Sequence, residues 1–261
     1  DVANQLASFG ITSGDRVAIV LPNGPEMAAA FITIAQSVTT APLNPAYKQD
    51  EYEFYLDDLN AKALVVMAGE NGPAVAAATK LGTQILRLYV ENGAPAGHFS
   101  LSATGAGSTV SAVDANPDDV ALILHTSGTT SRPKIVPLLH RNLVASAINI
   151  KTALALTPQD RCMNVMPLFH IHGLIAAVSA SLAAGGSVWC APGFDALRFF
   201  SWMQAAQPTW YTAVPTMHQT ILSRAPRNAG VIAAVPLRFL RSSSASLPAQ
   251  VMEALASTFN A

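Results

Sequence analysis

His125-Thr126-Ser127-Gly128-Thr129-Thr130-Ser131-Arg132-Pro133-Lys134 separates two apolar runs, Val120-Ala121-Leu122-Ile123-Leu124 before it and Ile135-Val136-Pro137-Leu138 after it. That order predicts a buried strand, a hydroxyl-rich turn and a second strand. Five of the six residues from Thr126 to Ser131 carry a hydroxyl, and the sixth is glycine. Hydroxyls and glycine amides together can donate several hydrogen bonds to one polyanion, because glycine lets the backbone come close. Arg132 and Lys134 bring positive charge to the end of the turn, and Pro133 stiffens it between them. A Walker-type phosphate loop is excluded, since no Gly precedes Lys134 and no Ser or Thr follows it. A polar surface turn rich in Ser and Thr is the plainer alternative, but it does not explain why a strand feeds the turn and cations close it.

Away from this turn, short apolar runs alternate with amphipathic segments. Strands are predicted at 16–21, 63–67, 85–90, 161–165, 187–190, 209–213 and 238–241. Helices are predicted at 26–36, 47–59, 75–81, 142–156, 174–184, 196–205, 216–223 and 248–259. Alternation of this kind argues for α/β layers around mostly parallel sheets. The stretch from Asn92 to Asn116 is rich in Gly, Ser and Ala and reads as a loop or linker.

Composition narrows the function. Charged residues make up 12% of the 261 residues, about half of the ~25% usual in soluble proteins. The net charge of -1 gives no electrostatic case for nucleic acid or an anionic membrane. Cys162 and Cys190 lie far apart in apolar runs and read as reduced, buried thiols of a cytoplasmic protein. From Cys162 to Phe194 there is no Asp, Glu, Lys or Arg, yet Pro167, Gly173, Gly185 and Gly186 cut the segment into pieces too short for a membrane span. A helix buried on all sides over 174–184 is the expectation there. The chain opens at Asp1 inside a helical pattern and without Met, so its N-terminus reads as trimmed.

Two more stretches carry chemistry. Met166-Pro167-Leu168-Phe169-His170-Ile171-His172-Gly173 follows a predicted strand. Two His at i and i+2 suggest a metal only if further ligands stand near, and none does in sequence. One His bonded in the core and one exposed is the plainer account. Arg241-Ser242-Ser243-Ser244-Ala245-Ser246-Leu247-Pro248 ends a predicted strand and precedes the last helix, for which Ser246 is a natural N-cap.

The segment from Thr126 to Lys134 resembles the ATP-phosphate loop of the adenylate-forming superfamily, which includes the acyl-CoA synthetases. Ile135 stands where that family usually has Gly. The Pro167-Leu168-Phe169-His170 and Ser243-to-Ser246 stretches look most like the small-dicarboxylate, oxalate-type CoA ligases. The resemblance implies two packed α/β lobes with mostly parallel sheets and helices on both faces, a layered sandwich forming a truncated large domain. Lobe one would run from about 22 to 150 and hold the phosphate loop. Lobe two would span about 151–261 together with 1–21 and hold the acyl and adenine segments. The Tyr-Gly-x-Thr-Glu segment, a ribose-holding Asp and the C-terminal domain with its catalytic Lys would lie beyond Ala261.

The implied activity is ATP-dependent activation of a carboxylic acid to an acyl-adenylate, followed by thioester formation with CoA. The resemblance makes Thr126, Ser127, Gly128, Thr129, Thr130, Ser131, Arg132 and Lys134 the nucleotide-phosphate cradle. Mg2+ would be held at Thr130, and Lys134 would stabilise the leaving group. It puts His170 beside the reacting acid as a catalytic residue, lines the acid pocket with Phe169, His170, Trp210, Val214 and Thr216, and packs adenine on Ser243, Ser244, Ala245 and Ser246. ATP, CoA and a small carboxylic acid would be its partners, with no nucleic acid and no membrane span, and a homodimer is an allowed state. The chain by itself is expected to be inactive. Two other readings stay open: an amidase-type Ser hydrolase using the Ser-rich runs, and a non-catalytic nucleotide-binding module.

Overall fold

Apolar runs of four to six residues build two separate sheets in the computed structural model, which describes residues 1–103, 115–126 and 133–261. The chain divides into two units, 1–144 and 145–261.

In the first unit the elements run α1 (Val2–Ser8), β1 (Arg16–Val20), α2 (Pro25–Ala35), β2 (Thr39–Pro42), α3 (Gln49–Asp58), β3 (Ala63–Met67), α4 (Pro73–Leu81), β4 (Gln84–Tyr89), β5 (Ser100–Ala103), β6 (Val120–His125) and β7 (Ile135–Leu139). The described strands form one seven-stranded sheet in the order β5-β4-β3-β1-β2-β6-β7. Its interior pairs are parallel, and the two edge pairs, β4–β5 and β6–β7, are antiparallel. Side chains alternate across a strand. Ala18, Val20, Leu64 and Val66 therefore share one face, which Tyr52 and Leu56 of α3 and Ala74, Ala77 and Ala78 of α4 cover. The intervening Val17, Ile19 and Val65 are equally buried, so both faces are dry. Pro at the first turn starts α2 and α4, where its missing N–H costs nothing, and Gly82 in the left-handed region ends α4.

Two strands escape the sequence pattern. β2 reads Thr-Thr-Ala-Pro, with no apolar run, yet all four residues are buried. Its Thr39 and Thr40 hydroxyls donate to the carbonyls of Val120 and Ala121 at 2.6 and 2.8 Å, so side chains reinforce the junction with β6. β5 lies inside the stretch read as a loop and pairs at the sheet edge with β4. The assignment of residues 1–21 to the second lobe is also corrected. β1 sits between β3 and β2 of the first sheet, buried on both sides. Pairing between distant segments leaves no mark in a five-residue run. The boundary falls at 144/145, inside α5 (His140–Ala153), not at 150.

The second unit contains β8 (Arg161–Asn164), a π-helix (His172–Ser179), α6 (Ala180–Ala183), β9 (Ser187–Cys190), α7 (Phe199–Ala206), β10 (Trp210–Ala213), α8 (Pro215–Arg224), a 3-10 turn (Ala225–Asn228), α9 (Ala229–Ala234), β11 (Phe239–Ser242) and α10 (Ala249–Phe259). The described strands make a four-stranded, all-parallel sheet in the order β11-β10-β8-β9. On one face Met163, Tyr211 and Ala213 meet Phe199 and Met203 of α7, Ile221 of α8 and Leu255 and Phe259 of α10. On the other, Cys162 and Trp210 meet Ala177, Ala180 and Ala184. Small residues on the π-helix and α6 let these helices lie close to the sheet.

A buried helix is present where one was expected, but its first two turns are π, not α. Gly173 lets the helix start press on the turn before it: a Cβ there would stand 2.4 Å from the Pro167 carbonyl oxygen. Ser179 Oγ donates to the Leu174 carbonyl five residues back at 2.8 Å. π-turns inside helices occur often at functional sites. Among the described residues no helix is long and apolar enough to cross a membrane.

Candidate functional site

In a parallel sheet all strands end on one edge, and ligands of open α/β sheets bind beyond that edge. In the second unit the edge is formed by Asn164, Cys190, Ala213 and Ser242. The segments that leave it carry Phe169 and His170 after β8, Val214 and Thr216 after β10, and Ser243 to Ser246 after β11. Topology thus gathers three sequence-distant stretches at one edge. Trp210 is the exception. It begins β10 at the opposite end, is fully buried and stacks on Phe239 at 5.2 Å, so it belongs to the core and not to an open pocket. Thr216 is exposed in the first turn of α8, and half-buried Val214 is that helix's N-cap.

The two histidines separate as the plainer account supposes. His170 is exposed, with its ring 4.5 Å from that of Phe169, and enough of it is covered to lower its pKa. His172 is only 5% exposed and is bonded at both ring nitrogens. Its Nε2 lies 2.6 Å from Thr212 Oγ1 and 3.1 Å from Arg241 Nη1, and its Nδ1 lies 3.1 Å from Ser244 Oγ. Arg241 can only donate, so Nε2 must accept. The ring proton therefore sits on Nδ1 and points at Ser244 Oγ. Burial first, then the Arg241 charge and His218, push the imidazole down to about 4, so it is neutral at pH 7.

This tautomer limits the chemistry. A base that activates a serine must accept the hydroxyl proton, whereas His172 donates to Ser244. The hydrolase reading finds no activated nucleophile in this pair. Ser244 itself holds φ +71, a left-handed backbone that non-glycine residues adopt at a cost of ~1–2 kcal/mol. The bond from His172 helps to offset it. The Ser246 cap is not formed: α10 starts from Pro248 as N-cap, with no side-chain cap.

Arg241 ties the edge together. Besides His172 it donates to Thr212 Oγ1 at 3.2 Å, and its Nη2 donates to Ser243 Oγ at 3.4 Å. Its own carbonyl accepts from Nε2 of fully buried His218, whose Nδ1 accepts from the Tyr211 hydroxyl at 3.1 Å. Sequence reading weighed His172 only as one of a pair of histidines, one to be bonded in the core, and gave no role to Thr212, Arg241 or His218. The only available signal was the close spacing of His172 to His170, because the other partners lie 40 to 72 positions away.

At the far edge of the same sheet, Asp160 is 4% exposed and accepts from Arg238 Nε and Nη2 at 3.0 and 2.9 Å. Thr157 N–H and the Thr209 hydroxyl complete its shell at 2.8 Å each. Burial alone would raise its pKa, but these hydrogen bonds and the Arg238 charge hold it below the ordinary value.

In the first unit the ends of the hydroxyl-rich turn are described: the Thr126 N–H donates to the Lys134 carbonyl at 3.0 Å, and the Lys134 N–H to Thr126 Oγ1 at 3.2 Å. They close the neck of a hairpin between β6 and β7. Ile135, the departure from the family's Gly, opens β7 opposite His125. Asp58 of α3 anchors the neck through His125 Nε2 at 3.1 Å, and Tyr55 meets that ring edge-on at 4.6 Å. Lys134 is exposed. Ser127, Gly128, Thr129, Thr130, Ser131 and Arg132 lie outside the described residues, and the metal expectation at Thr130 lies there with them. Cys162 and Cys190 form no disulfide; Cys190 is half-buried rather than buried, and Cys162 is fully buried, which pushes its thiol pKa well up.

The model of the AMP-binding enzyme family matches residues 1–261. An oxalate–CoA ligase of Arabidopsis thaliana is 42% identical over 267 residues, an alignment covering 99% of this chain and 51% of that protein. An oxalate–CoA ligase of Saccharomyces cerevisiae is 36% identical, covering 95% of this chain and 49% of the yeast protein. The crystal structure of ATP-bound MatB from Rhodopseudomonas palustris superposes with a TM-score of 0.80 at 28% identity, covering 100% of this chain and 50% of that one. The chain spans about half the length of the curated relatives it matches. With a match that runs from the first residue to the last and takes in both sheets, the chain belongs to the AMP-binding enzyme family.

Proposed function

We propose that the chain supplies the nucleotide- and acid-binding part of an ATP-dependent acid–thiol ligase. A carboxylate oxygen attacks the α-phosphorus of ATP, forming an acyl-adenylate as the bond to the bridging oxygen breaks and pyrophosphate leaves. The thiol of CoA then attacks the acyl carbon and AMP departs. The chemistry asks for positioning and charge stabilisation. Thr126, Ser127, Thr129, Thr130 and Ser131 donate to phosphate oxygens, Gly128 allows close approach, and Arg132 and Lys134 stabilise the leaving pyrophosphate. Thr130 would hold a Mg2+ ion, which when bound would neutralise part of the phosphate charge. His170 and Phe169 stand beside the reacting carboxylate, and Ser243, Ser244, Ala245 and Ser246 provide small side chains against which adenine packs.

The observation that supports this reading most is the closed neck of the 126–134 hairpin, which fixes both ends of the phosphate-loop sequence on a rigid sheet. Two of the relatives are named as oxalate–CoA ligases, and a small dicarboxylate is the acid this reading takes. Two cysteines that form no disulfide fit a reducing, cytoplasmic setting. The test is acid-dependent ATP–pyrophosphate exchange in a full-length protein containing residues 1–261, against a panel of small, aromatic and long-chain acids. Exchange with at least one acid is expected, and none with the 261-residue chain alone. Absence of exchange with every acid overturns the reading, and steady exchange by the chain alone overturns its incompleteness.

A further inference from the structure

We infer that Arg241 determines which acid is accepted, by binding the second carboxylate of a small dicarboxylic acid. The inference rests on the acid–thiol ligase reading and assigns one residue within it.

Arg241 sits in the last turn of sheet before the serine segment, directly across from Thr212 in the parallel register. It is half-buried, and burial lowers its pKa, which marks a cation that has given up part of its hydration. Every side-chain acceptor it contacts is uncharged: His172 Nε2, Thr212 Oγ1 and Ser243 Oγ. Among the described residues no carboxylate lies within ion-pair distance of it. Arg238, three positions earlier, has a carboxylate held in a fork. A partly desolvated guanidinium without a counter-charge is costly, and an anionic ligand removes that cost. Its planar fork suits a carboxylate better than any other anion of this size apart from phosphate.

The neighbours fit the same purpose. His172 accepts from the guanidinium and stays neutral, so it orients the cation without discharging it. Ser243 and Ser244 add hydroxyls that can donate to carboxylate oxygens, while buried Thr212 gives its one proton to His172 Nε2 and accepts from Arg241. In a dicarboxylic acid one carboxylate is consumed in forming the adenylate and the other stays ionised throughout. That remaining charge needs a permanent partner, and Arg241 supplies it at the edge where the acid segments converge. His172 and Thr212 are positioning residues in this account.

The experiment measures kcat/KM for pyrophosphate exchange in the full-length protein containing this chain. It uses oxalate against its monoamide oxamate and malonate against malonamate, which keep the shape and remove one charge. The wild type is expected to prefer the diacid by about 100-fold or more, the scale of an unpaired buried polar or charged group. Arg241→Met is expected to collapse that preference to within about tenfold, and Arg241→Lys to keep part of it, since a point charge replaces a fork. A melting profile of each variant shows that it is folded. A wild type that favours the monoamide, or an Arg241→Met protein that keeps the full preference, overturns the assignment. Should Arg241→Met not fold, an Arg241→Lys protein with an unchanged diacid preference overturns it as well. No exchange with any acid would instead sink the ligase reading itself.

Discussion

Arg238, just before β11, and Arg241, near that strand's end, stand three residues apart, and the protein treats them in opposite ways. Arg238 meets a buried carboxylate, Asp160, whose oxygens are filled by hydroxyl, amide and guanidinium donors. Arg241 meets a neutral imidazole and two hydroxyls. The first arrangement closes on itself and ties the starts of β8, β10 and β11 together. The second leaves positive charge at the edge where the strands end. A polar network that satisfies all its members holds structure, while one that leaves a charge unanswered is set up for something outside the chain.

Stability measurements can break this contrast. Asp160→Ala removes the partner of Arg238, Thr157 and Thr209 and should cost about 3–4 kcal/mol in urea unfolding. Arg241→Met removes no counter-charge and should stay within about 1 kcal/mol of wild type. Equal costs would mean that the two arginines do the same structural job.

Acid sharpens it further. His172 titrates near 4 in the folded chain and near ~6.5 when unfolded. The unfolded state therefore binds more protons between those values. The stability that a neutral His172 contributes is full above pH ~6.5 and fades by on the order of 3 kcal/mol as pH falls toward 4. Buried His218, also lowered, adds in the same direction. Asp160 works in a separate window: its contribution is full above ~4 and is lost only as pH falls through its depressed folded value. His172→Gln should flatten the slope of unfolding free energy between pH 6.5 and 4.5 without removing it. A slope that does not change would place His172 in contact with solvent.

The smallest effect concerns Ser244. Ser244→Ala keeps a Cβ at φ +71 and loses the bond from His172, whereas Ser244→Gly loses the bond but relieves the backbone. Gly should be the milder change by about 1 kcal/mol in thermal or urea unfolding. The reverse order would mean that Ser244 is not held in the left-handed region.

Much of this architecture is legible without coordinates. Alternating apolar runs and amphipathic segments give an α/β protein with mostly parallel sheets, because period-2 and period-3.6 patterns are local properties. β2 is hidden because threonine hydroxyls do what an apolar run usually does. β5 is hidden in a small-residue stretch at the sheet edge. The buried helix is visible from its composition, but neither its π geometry nor the close approach of Gly173 to Pro167 is. At the site, sequence resemblance points to His170 and the serine run. It is silent on Arg241 and Thr212, which nothing but strand register brings opposite each other.

The sequence alone determined the strand–turn–strand around residues 126–134, the α/β alternation and the family, since each depends on the order of neighbouring residues. Tertiary structure decided which sheet β1 joins, that Trp210 is core, that His172 and not His170 is bonded on both sides, and that Arg241 faces no carboxylate among the described residues. Those outcomes depend on which distant backbones lie side by side and which charges are left without water, and neither quantity exists until the chain has packed.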